Sequence, residues 1–249
     1  MNRLPLEFLK AVVNQSGQVY QLYQLSQLSS AWGTVAERRR DKTKLTFSFY
    51  CIPSVGLCYW CNIDLRSFDL STHELCNFQI NYVDTVQTYH SRCTKDVYLM
   101  ILAILRNQKS RIEKVYLHSD HHDLPDLNDL TTIFNSISGS HTLYIGKGFT
   151  FSAEFLQNFQ HVYAYSGMLH EDLEAPILEL LKSGHPIGLS CNISKTRESF
   201  VSELKKALDL RDGQEGEWCN WHPEYESEGF LFKSGYLSYL SHSYRLRMF

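Results

Sequence analysis

The run His118-Ser-Asp-His-His-Asp123 sets three imidazoles and two carboxylates in one short loop, directly after a predicted strand. Imidazole and carboxylate are the donors that a catalytic divalent metal takes, and α/β proteins place their sites in loops beyond the ends of strands. A metal held by His118, Asp120, His121, His122 and Asp123 would make the chain a metal-dependent hydrolase. The plainer alternative is a polar loop leading into a helix capped near Asp123 or Asp126.

A second group is Cys58-Tyr-Trp-Cys61 with His73-Glu-Leu-Cys76. Two Cys, one His and a further Cys are a tetrahedral zinc set by type. The context opposes it, because Tyr59 and Trp60 fill the gap between the first pair inside an alternating, strand-like pattern. In a strand, positions i and i+3 face opposite ways, and buried free cysteine is the ordinary outcome. Gly146-Lys-Gly148 lacks the flanking pattern of a phosphate loop. No Ser or Cys sits in a nucleophile elbow. Arg38-Arg-Arg40 is too short for a nucleic-acid footprint and reads as a solvated helix end. Trp218-Cys-Asn-Trp-His222, in acidic surroundings, is either a partner loop or a packed tail.

What must position these groups follows from composition and periodicity. At 249 residues, 43% hydrophobic, with 15 Tyr, 14 Phe and 4 Trp, the chain can bury a sizeable core. A net charge of −3 gives no global pull toward nucleic acid or an anionic membrane. The N-terminus lacks an apolar leader, and the longest apolar run, Val97–Leu105, is far short of a membrane span and reads as a buried helix. Seven Cys, odd in number and without framework spacing, imply free thiols in a reducing, intracellular compartment, cytoplasm or nucleus. The sequon at Asn192 would then go unused.

The first 40 residues read as short helices. Pro5 suits a first helical position, and Leu4, Phe8, Leu9, Val12 and Val13 fall on one stripe. Leu22, Leu25 and Leu28 suggest a second helix. A third carries Trp32, Val35 and Ala36 on one face. Residues 45–50, 58–63 and 78–83 alternate as strands. Beyond residue 97 the spacing predicts strands at Val115–Leu117, Thr142–Ile145, Val162–Tyr165 and Ile187–Cys191. Helical stripes lie between them at Leu127–Ile137, Phe155–Phe159 and Leu173–Leu181, with a last one at Phe200–Leu208. Such alternation predicts parallel pairing. Units of roughly 20–29 residues are the period of leucine-rich-repeat-like solenoids, though the strict repeat consensus is absent; a doubly wound sheet is the alternative. The aromatic tail, residues 215–249, should pack over the end of the sheet.

Leu4-Pro5-x-Glu7-Phe8-Leu9, followed at Trp32 by a helix bearing Ala36, resembles the F-box, a three-helix module, over residues 3–40. The layout is similar to nematode-type expanded F-box families with α/β or repeat-like C-terminal regions. It departs from the pattern in its polar middle, Asn14–Gln24, and at Gly33, where a bulkier residue is common. The resemblance implies no chemistry. It implies that Leu4, Pro5, Phe8, Leu9 and Trp32 bind the small adaptor of a cullin–RING (SCF-type) ubiquitin ligase. Separately, Asp120-His-His122 is similar to the signature triplet of the DHH phosphoesterases, but the upstream His/Asp-rich motif of that family is missing.

The expected fold is α/β, with a three-helix F-box-like module at residues 1–42 and a leucine-rich-repeat-like βα domain with parallel strands at residues 43–249. The expected function is a non-enzymatic interaction protein without cofactor or metal, the substrate receptor of a cullin–RING ligase. Its partners are that adaptor and an unknown protein substrate, with no nucleic acid and no membrane. The alternatives are the metal-dependent hydrolase at His118–Asp123 and a binding module that no longer holds the adaptor.

Overall fold

The computed structural model describes residues 5–15, 19–28, 30–85, 87, 90–119, 128–137, 140–146, 149, 151–185, 187–194, 196–207, 235–239 and 243–248. They form a mixed α/β protein in two compact units. The first comprises residues 1–116 and 125–141, the second residues 117–124 and 142–249.

The first unit opens with α1 (Leu6–Gln15), α2 (Val19–Ser26) and α3 (Ala31–Arg40). Strands β1 (Thr43–Ile52), β2 (Gly56–Cys61), β3 (His73–Tyr82) and the short β4 (Ser91–Arg92) lie in the order β4-β2-β1-β3. β1 and β2 are an antiparallel hairpin, closed by Gly56 in the left-handed region at φ 92°. β1 and β3 are parallel, and the register shifts between Leu45 and Thr46, leaving Cys76 without a partner in the ladder. Alternation does the rest. Leu45, Phe47 and Phe49 of β1 and Phe78 and Ile80 of β3 turn the same way and are fully buried. The rings of Phe47 and Phe78 stack with centroids 6.2 Å apart.

The apolar run 97–105 is a helix, α4 (Lys95–Asn107). Thr94 caps it by accepting from the Val97 N–H at 3.3 Å, Asp96 stands in its first turn and Arg106 in its last. α5 (Asn128–Phe134) also belongs to this unit. β5 (Ile112–Ser119) and β6 (Ser140–Ile145) contribute residues to both units.

In the second unit, α6 (Ala153–Leu156), β7 (Phe159–Met168), α7 (Glu174–Lys182), β8 (Gly188–Ser194) and α8 (Glu198–Ala207) continue the predicted rhythm. β7 and β8 are parallel. The helical stripe expected to reach Phe159 stops at Leu156, and Phe159 instead begins β7 with its ring buried. Gly184, at φ 73°, ends α7: its N–H bonds Leu181 O at 3.1 Å and the His185 N–H bonds Leu180 O at 3.0 Å. The end of the chain forms β9 (Gly235–Tyr239) and β10 (Ser243–Met248). β10 pairs antiparallel with β8, so this part of the tail extends the sheet at its edge. No helix among the described residues is long and apolar enough to cross a membrane.

Candidate interaction surface

α1, α2 and α3 share a small core of their own. Leu9 and Val13 are one helical turn apart on α1 and are buried with Leu22 and Ala36; Leu25, Trp32 and Val35 pack partly buried against them. The helices leave other apolar groups outside. Leu6, Phe8, Tyr23 and Leu28 are 48–53% exposed, and they are four of the six large apolar side chains exposed among the described residues. Leu6 and Phe8 stand two positions apart, about 200° around the helix, so they flank the buried stripe on opposite edges. Phe8 lies edge-on to Trp32, with centroids 6.5 Å apart.

The five residues expected at an adaptor contact therefore separate. Pro5 and Phe8 are exposed, Trp32 is half-buried, and Leu9 is core. Leu4 lies outside the described residues.

Gly33 has a steric reason. A Cβ there would stand 1.9 Å from the Leu28 carbonyl oxygen and 3.2 Å from that of Ser26, so α3 approaches the end of α2 backbone to backbone.

The helices are tied to the strands by a buried charge cluster. Arg39 does not sit in the solvated helix end expected of the Arg38–Arg40 run. It is 4% exposed and donates from Nε and Nη2 to Glu74 Oε1 at 3.0 and 2.8 Å, and from Nη1 to the Val13 carbonyl. Lys44 donates to Glu74 Oε2 at 2.9 Å. Burial pushes the Glu74 carboxyl up. The hydrogen bond and charge of Arg39 outweigh it, with help from Ser110 and Lys44, and hold it below the usual range. The sequence held a sign of this: Arg39 is three and four positions beyond Ala36 and Val35, on their face of α3.

The other chemically suggestive groups come apart. Cys58 and Cys61 are on β2 and His73 and Cys76 on β3, with β1 between them. Cys58 stands opposite Tyr50, while His73 stands opposite Thr43, seven residues along β1 and about 23 Å away by strand rise. Burial pushes the thiol of Cys61 up, and those of Cys76 and Cys93 to about 12 and about 11, so these sulfurs stay protonated. Among the described residues no group of three or more His, Cys, Asp or Glu is placed to hold a metal. His118 is on β5 and half-buried; Asp120, His121, His122 and Asp123 lie outside the described residues, as do Trp218 to His222. Gly146 is required by close approach, since its N–H bonds Leu117 O at 2.6 Å and a Cβ would lie 2.8 Å from that oxygen. Asn192 is paired within the sheet, opposite Arg245 of β10.

Comparison with protein-family models, with curated proteins and with solved structures finds no significant match to this chain.

Proposed function

We propose that the chain is a non-enzymatic interaction protein, the substrate receptor of a cullin–RING ubiquitin ligase, with an F-box-like module at its N-terminus and a leucine-rich-repeat-like βα region behind it. The observation that carries the proposal is the concentration of exposed apolar side chains on α1, on α2 and in the turn that follows it. Leu6, Phe8, Tyr23 and Leu28 remain outside a core that already closes through Leu9, Val13, Leu22 and Ala36. A folded monomer gains nothing by exposing large apolar groups in one small module, and such exposure marks protein contact. The burial of Leu9 refines the proposed adaptor contact to Pro5, Leu6, Phe8 and the exposed edge of Trp32. The separated thiols and their raised pKa values favour this reading over cysteine chemistry in the strands.

Co-expression with the adaptor of its own organism tests the proposal. A 1:1 complex that survives gel filtration, and that Phe8→Asp abolishes without loss of the thermal transition, is expected. Free adaptor alongside a folded wild-type chain would refute it.

A further inference from the structure

We draw no further inference here: the strongest candidate, the sheet face of the second unit on which the half-buried Tyr144 of β6, His161 and Tyr163 of β7 and Ser190 of β8 lie side by side, carries nothing because nothing in the structure shows what covers it.

Discussion

Two arginines, each bonded to a glutamate, behave in opposite ways in the two units. In the first, Arg39 and Lys44 both serve Glu74, and its carboxyl is held below the usual range. In the second, Arg197 donates to Glu174 Oε1 at 2.8 Å, to Glu171 Oε1 at 3.3 Å and to the Leu169 carbonyl at 2.7 Å. There burial pushes the Glu174 carboxyl up, with Glu171 adding to the rise, and Arg197 does not overcome them. One cluster has two cations for one carboxylate, the other two carboxylates for one cation. Burial is the largest influence on both carboxyls; at Glu74 the bonds and charges of Arg39 and Lys44 outweigh it, and at Glu174 those of Arg197 do not.

The largest effect should come from breaking the first cluster. Arg39→Met removes two bonds to a carboxylate that is almost wholly buried, and should cost about 3–5 kcal/mol in urea unfolding. The double variant Arg39→Met/Glu74→Met should recover most of that loss, because no unpaired buried carboxylate remains. Full stability in the single variant would mean that the cluster does not hold the helices to the strands.

Gly33→Ala comes next. A methyl 1.9 Å from a backbone oxygen forces α2 and α3 apart, at about 1–3 kcal/mol. If the loss is confined to the helices, hydrogen exchange should rise in α1–α3 and not in β1–β3.

A pH titration sharpens the comparison. Glu74 has a folded pKa below its unfolded value near 4.3, so its contribution is fully present above about pH 4.3 and is lost as pH falls through the lower, folded value. Glu174 has the opposite sign. Its contribution is present below its unfolded value and is lost as pH rises through the raised, folded one. Hydrogen exchange should therefore rise in α3 and at the start of β3 as pH falls below about 4.3, and rise at the start of α7 as pH climbs above that value. Equal responses in both places would show that the two clusters do not differ in charge balance.

The smallest effect is Glu171→Gln, which removes the excess negative charge. It should lower the Glu174 pKa and change stability by no more than a few tenths of a kcal/mol, since Glu171 is mostly exposed. Carboxyl titration by NMR would detect the shift where unfolding would not.

Local periodicity carried most of the fold. The 97–105 run, the alternation at 45–50 and 78–83, and the βα rhythm beyond residue 97 are each written within one element, and each forms as expected. What depends on distant partners was not legible. Arg39 and Glu74 are 35 positions apart, so a triple-arginine helix end concealed a buried pair. Phe159 fits the stripe of α6 by spacing, yet the helix stops a turn earlier and the ring enters β7. Tyr236-Leu-Ser-Tyr239 and Tyr244-Arg-Leu-Arg-Met248 alternate like strands, but their aromatic richness suggested a packed tail, and only pairing with β8 makes them an edge. At the candidate surface the apolar stripe of α1 was visible. Which of its members turn outward was not, because Phe8 and Leu9 are neighbours in sequence and a third of a turn apart in space.

The account turns on whether the first helices are a partner-binding module, and calorimetric titration of purified adaptor into the full-length chain tests that most directly. Saturable 1:1 binding by the wild type, lost in Phe8→Asp, is the predicted result. Absence of binding to a folded wild-type chain, or binding indifferent to Phe8, would contradict it.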